Sequence, residues 1–317
     1  MGTPGAEAQG AVVVVGVDGG QPAGRAVEEA AAQAMRCGRP LHLMHATGRT
    51  FVPWTPAHLQ RVAVVTAHCR HRAAKVSPDL RITTATEVDD PAAMLVAASQ
   101  HSSMVVLDGG RLGRDGAVLL GATAHTVVAH ASCPVMVVPL TADWSTTGPV
   151  VVGVDTHEHS APAVELAFAE ASRRGAPLRA VHTWWSDEAD ASLAAACGRA
   201  DRSQVVESHR RTVAEMLARW RHDSPDVDVT LSLARGRAGT ALVRESRTAQ
   251  LLVVGRRGLG GFPGLLLGSV GSHVIRHAPC PVIVVPSSPT GGSDGLLSRR
   301  PAVRGRPRHP APTGAGP

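Results

Sequence analysis

The chain has no tyrosine and only three phenylalanines among its 317 residues. The aromatic platforms on which unpaired bases stack are therefore scarce, and no specific nucleic-acid partner is expected. No apolar run approaches the roughly 20 residues of a membrane span. Nothing near the N-terminus joins a basic start to an apolar segment, so the expectation is a soluble, cytoplasmic protein without a membrane partner. The five cysteines, Cys37, Cys69, Cys133, Cys197 and Cys280, form no C-x-x-C pair and no metal-ligand spacing. That argues against a disulfide framework and against a metal site. Lysine occurs once, at Lys75, and the net charge of +6 is uneven. Residues 287–317 set five arginines (Arg299, Arg300, Arg304, Arg306, Arg308) against Asp294, which is +4 and leaves +2 for the rest. This Pro-, Gly- and Ser-rich tail has no apolar period and is expected to be disordered, as are residues 1–10.

What the sequence does contain is written twice. "VVVVGVDGG" at Val12 to Gly20 returns as "VVVGVDTHE" at Val150 to Glu158, and "AVEEAAAQAMRCGRPLHLMHA" returns as "AVELAFAEASRRGAPLRAVHT" at a constant offset of 137. Farther on, "GATAHTVVAHASCPVMVVP" returns as "GSVGSHVIRHAPCPVIVVP" at an offset of 147. The ten extra residues of the second copy fall between Trp184 and Asp226, where loop and helix absorb an insertion at little entropic cost. Two tandem homologous domains follow, 11–140 and 149–286.

Each copy alternates β-branched runs with helical patterns. In the second copy we read strands at 150–154, 178–183, 227–233, 251–255 and 282–285, and helices at 160–174, 201–221, 238–247 and 269–277. Strands apolar throughout are those covered on both faces by crossover helices. The fold class is therefore α/β: two doubly wound, five-stranded parallel sheets, Rossmann-like and expected in the common order 3-2-1-4-5. Ser160 reads as an N-cap and Gly175 as the residue ending the same helix. In such sheets ligands bind beyond the C-terminal strand ends, where strand order reverses. That places Asp155, after the first strand, beside the stretch "GRRGLGGFPGLLLGSV" after the fourth.

The stretch has the spacing G-x2-G-x9-G-S, through Gly255, Gly258, Gly268 and Ser269. Two glycines turn the chain sharply and expose amides. The later pair opens a helix whose free N–H groups and dipole favour an anion. It is not a Walker A loop, because no Lys-Ser or Lys-Thr follows, and not the dinucleotide G-x-G-x-x-G.

On these residues, with "APCPVIVVP" and the opening "VD" of both copies, the chain resembles the universal stress protein family, and its second copy the ATP-binding subclass. The resemblance implies ATP as ligand, with or without magnesium, and a nucleotide-responsive role in stress or dormancy. It also implies pairing of domains along the last strand, "VMVVP" against "VIVVP", so that the two are packed as a pseudo-dimer within one chain or pair between two chains. It assigns Asp155 to the adenosine end, Thr183 to the adenine wall, Val254, Gly255, Arg257 and Gly258 to the loop, and Gly268, Ser269 and Val270 to the phosphates. Gly271 stands where the family usually has Ser or Thr.

The first copy departs further, with Asp108, Arg111, Gly121 and Ala122 in place of Gly, Gly, Gly and Ser, and Ala23 in place of Ser160. An anion at Asp108 opposes phosphate there, so a degenerate site is expected, although Asp18 is retained. Among the sixteen histidines, "HEH" at 157–159 is expected to be a solvated loop rather than a metal site. His45 and His182 recur at the end of the second strand, and Cys133 and Cys280 are read as small buried hydrophobes. Trp184 and Trp185 cover an adenine or pack under the inserted segment. No catalytic residue is assigned, since the loops of AMP-transferring relatives are missing. A protein-interaction module without nucleotide and a slow ATPase stand as alternatives.

Overall fold

A computed structural model describes residues 11–18, 23–47, 55–112, 118–140, 144–155, 160–184, 199–256 and 267–287. The first domain runs β1 (Val12–Val17), α1 (Ala23–Cys37), β2 (Leu41–Ala46), α2 (Pro56–Val76), β3 (Ile82–Glu87), α3 (Pro91–Ala98), β4 (Ser102–Asp108), α4 (Ala122–His130) and β7 (Val135–Val138). Between β4 and α4 lies a small antiparallel pair, β5 (Arg111–Leu112) and β6 (Val118–Leu119). The second domain follows with β8 (Val150–Gly153), α5 (Ala161–Arg174), β9 (Leu178–Thr183), α6 (Arg199–Asp223), β10 (Val229–Ala234), α7 (Ala238–Ser246), β11 (Leu251–Gly255), α8 (Ser269–His277) and β12 (Val282–Val285).

Ten strands form one sheet in the order β10-β9-β8-β11-β12-β7-β4-β1-β2-β3. Each half is parallel and reads 3-2-1-4-5, the expected order. The halves meet where β12 runs antiparallel to β7, with Val282, Ile283 and Val284 opposite Val137, Met136 and Val135.

Strand alternation divides the core. Val13, Val15 and Val17 of β1 and Val150 and Val152 of β8 pack with α1, α2, α5 and α6 on one face. Val14 and Val151 pack with α3, α4, α7 and α8 on the other. Both faces are thus apolar, which is why these strands read as unbroken valine runs. The glycine of the repeated "GVD" has a packing cause. A Cβ at Gly16 would lie 2.9 Å from Leu95 Cδ1, and one at Gly153 would lie 3.1 Å from Leu242 Cδ1. Each copy therefore lays the leucine of its third helix directly on the first strand.

Local signals set several helix ends, at Gly175 as expected. Gly175 closes α5 at φ 58, ψ 37, with its N–H donating to the last turn. Asp90 caps α3 by accepting from Ala92 N and Ala93 N, ahead of Pro91. Ser160 corrects an expectation: it occupies the N-cap position of α5 but makes no side-chain cap bond there. Its hydroxyl instead donates to the Asp155 carbonyl at 3.3 Å. The third strand of this domain begins at Val229 rather than Val227, because Val227 N donates back to Ser224 O in a turn. The β5–β6 pair adds to the expected elements.

The domains also meet through α1 and α5. Gln33 donates to Glu170 at 2.7 Å, and Arg174 donates to Glu170, Glu29, Gln33 and Gln250 at 3.1 to 3.3 Å. Arg173 adds a 2.9 Å bond to Glu170, and Arg36 a 3.1 Å bond to Glu29.

Candidate nucleotide site

Strand order reverses at β8, which lies between β9 and β11. The segment after β8 and the segment after β11 therefore leave the sheet side by side, where crossovers diverge to opposite faces. Val154 extends β8 by donating to Val181 O at 2.9 Å, and the half-buried Asp155 follows.

After β11, Arg256 N donates to Val285 O at 2.7 Å, and Arg256 O accepts from Gly268 N at 2.9 Å. The long connection thus leaves and returns through a closed neck. Gly268 is extended (φ −67, ψ 159) at the N-cap of α8 and brings no side-chain cap to the first-turn amides. Ser269 is exposed at the first helical position. Uncapped amides at a helix start, beside a strand-end carboxylate, suit a ligand that is anionic at one end and carries hydroxyls at the other.

The expected residues are distributed as follows. Asp155, Thr183, Gly255, Gly268 and Ser269 stand at the strand ends or at the mouth of α8. Val254 is only 2% exposed and its side chain belongs to the core, so its main chain alone is left for a ligand. Val270 likewise packs on the core. Arg257 and Gly258 lie outside the described residues, as do Trp185 and the 157–159 loop. Gly271 has a structural cause, since a Cβ there would come within 2.9 Å of Leu267 Cδ1. Leu267 occupies the space that a larger residue would need.

Two features take roles that the sequence pattern does not announce. His182 donates Nδ1–H to Val154 O at 2.9 Å, which leaves Nε2 as acceptor toward His209 Nδ1 at 3.1 Å. Burial, followed by the neighbouring His209, lowers the His182 pKa, so the ring is neutral near pH 7. His45 makes the same bond to Val17 O at 2.7 Å. The repeated histidine is therefore a tie between the first and second strands. In the second domain it also meets α6, with the Trp184 ring centred 6.4 Å from that of His209.

The second feature is the counterpart site. Asp108 ends β4 where Gly255 ends β11, and Gly109 N bonds Val138 O at 2.7 Å as Arg256 N bonds Val285 O. Burial, and then the Asp18 carboxylate, push the Asp108 pKa up to about 7. Its Oδ1 is buried with no hydrogen-bond partner among the described residues. The folded state thus holds a proton that the unfolded chain has already released above its ordinary value of 3.8. Stability therefore falls as pH rises from about 4 to about 7 and levels off above. Asp108→Asn should be nearly neutral at about pH 4 and stabilising at about pH 8, by on the order of 2 kcal/mol once solvent access is allowed for. Denaturant melts at the two pH values measure it; an equal effect at both would sink the assignment.

Cys133 and Cys280 are buried, and burial pushes both thiols up to about 12, which makes them inert packing groups at neutral pH. Among the described residues no group of three or more His, Cys, Asp or Glu could hold a metal ion, and no helix is long and apolar enough to cross a membrane.

Comparison with known proteins places the chain in a family. The model described as Universal stress protein family matches residues 11–139 and again 146–286. A universal stress protein of Mycolicibacterium smegmatis is 36% identical over 288 residues, covering 86% of this chain and 96% of that protein. One of Mycobacterium tuberculosis H37Rv is 33% identical over 293 residues, 88% of this chain and 97% of its own length. Among solved structures, a universal stress protein from Archaeoglobus fulgidus superposes with a TM-score of 0.63 at 19% identity, covering 87% of this chain and 98% of that one.

Proposed function

The chain belongs to the universal stress protein family, and from that premise we propose that its second domain binds ATP, with or without a divalent cation. In this reading the protein is a cytoplasmic, nucleotide-responsive regulator of a stress or dormancy response, and binding rather than turnover is its activity. The observation that carries the reading is the neck at Arg256 and Gly268, which sets the uncapped start of α8 beside the end of β11.

Each group then has a chemical task. The Asp155 carboxylate accepts hydrogen bonds from ribose hydroxyls. Thr183, with Trp184 beyond it, borders the base. The amides of Ser269 and Val270, the Ser269 hydroxyl and the loop from Gly255 through Arg257 and Gly258 hold the phosphates. A bound divalent cation would neutralise phosphate charge. The first domain takes no nucleotide, since Asp108 and Asp18 bring two acidic groups to its crevice and Ala122 offers no hydroxyl. Pairing of β7 with β12 serves as the family's domain contact inside one chain.

Calorimetric titration with ATP, with and without magnesium and after removal of co-purified nucleotide, tests the reading. One ATP per chain is the expected result. Two would overturn the assignment of the first domain. None at millimolar ATP would overturn nucleotide binding and leave an interaction module.

A further inference from the structure

Arg256 holds the neck of the second domain's loop through its main chain, but its side chain serves the first domain. Nη1 donates to Ala131 O at 2.7 Å, across 125 positions of sequence. Ala131 is the C-cap of α4, and its own N–H donates to Val127 O. A guanidinium at this point meets the negative end of the α4 dipole and satisfies a terminal carbonyl. A second contact joins the same two domains, since β6 of the first lies close to α8 of the second. The arrangement has no mirror image. The position equivalent to Arg256 in the first domain is Gly109, which has no side chain to return the bond. A Cβ there would stand 3.1 Å from Val138 O.

We propose that Arg256 is a positioning residue that ties the nucleotide loop of the second domain to α4 of the first, so that nucleotide occupancy and the state of the first domain are coupled. The inference rests on the ATP reading above. With its main chain fixed by Val285 O and Gly268 N and its side chain fixed by Ala131 O, Arg256 has little freedom. A ligand that tightens the loop neck tightens the grip on α4, and by linkage a firm grip on α4 favours the ligand. The degenerate domain is then a support for the intact site in the other half.

The test uses the full chain. In Arg256→Ala, ATP affinity should fall about tenfold, the loss expected for one charge-assisted hydrogen bond. AMP, which barely engages the phosphate end, should change by less than about twofold. Arg256→Lys, which keeps a cationic donor, should recover most of the difference. Arg256→Gln is read instead if the alanine variant fails to fold. Hydrogen exchange supplies the readout that a purely local role would leave unmoved. ATP should slow exchange in the last turn of α4 in the parent protein, and not in Arg256→Ala or Arg256→Gln. Equal losses for ATP and AMP, or an α4 indifferent to ATP in the parent protein, would overturn the coupling while leaving the site. A parent protein that binds no nucleotide would overturn both, through the failure of the site.

Discussion

Gly255→Asp should abolish ATP binding in the second domain, lowering affinity at least about 100-fold, because it recreates there what the first domain already has. Gly255 and Asp108 occupy the same place on equivalent strands, β11 and β4, each one residue before the closing bond to Val285 O or Val138 O. The first domain therefore demonstrates that this backbone carries an aspartate. The introduced carboxylate would stand between Asp155 and the phosphates. Two unit charges about 4 Å apart repel by ~4 kcal/mol at an effective dielectric near 20, enough to remove any ordinary nucleotide affinity. The new group should titrate upward for the reasons that hold at Asp108, so affinity should partly return as pH falls below about 6. Calorimetry at two pH values, beside a melting curve, reads both effects. Affinity within a few-fold of the parent protein would mean that the phosphates do not lie near the end of β11.

Arg174→Ala should cost about 3–5 kcal/mol of stability, the largest loss expected from a single side chain here. Arg174 is 3% exposed and Glu170 is completely buried, and the same guanidinium reaches Glu29 in the other domain. Its removal leaves Glu170 with Arg173 and Gln33 alone. A buried carboxylate stripped of its buried cation is penalised by desolvation far more than the intact pair ever gained. Exchanging both partners, as in Glu170→Gln with Arg174→Met, should recover most of the loss. Chemical denaturation of the single and double variants gives the coupling between them. A loss below about 1 kcal/mol for Arg174→Ala would show the cluster to be solvated in practice.

The composition of this cluster follows from the duplication. Gln33 and Glu170 are the same position of the two copies, 137 residues apart, and they touch. In a symmetric pair of second domains, two buried glutamates would meet at that point. One glutamine supplies a donor to the glutamate instead, and Arg174 supplies the charge. A single chain carrying both domains can hold such an unlike pair at its pseudo-axis, which two identical chains cannot.

Much of the fold is legible in the amino-acid sequence, because the signals are local or repeat at fixed intervals. The bounds of β9, β11, α8 and β12 agree with the pattern reading, and Gly175 ends α5 as its position in the helix implies. Two apolar faces on each strand require helices above and below, and the duplication requires two such sheets. Ser160 departs from its expected capping role for a physical reason: a hydroxyl before a helix has more than one partner nearby, and the turn after β8 brings the Asp155 carbonyl within reach. The role of Gly271 is equally hidden from the sequence, since it depends on where the Leu267 side chain lies.

The sequence by itself determined the family, the tandem α/β architecture and the strand order, and it carries the glycine spacing on which the proposed nucleotide site rests. Periodicity and turn chemistry act over a few residues, and each was written twice. Only the tertiary structure decided that Gln33 meets Glu170, that His182 meets His209, that Asp108 loses its solvent beside Asp18, and that Arg256 reaches Ala131. These contacts join residues far apart in the chain, or depend on how much water a folded crevice admits. Those that cross between the domains exist because β12 pairs with β7 and brings two separately encoded sheets into one, and no local pattern specifies which side chains that closure sets against each other.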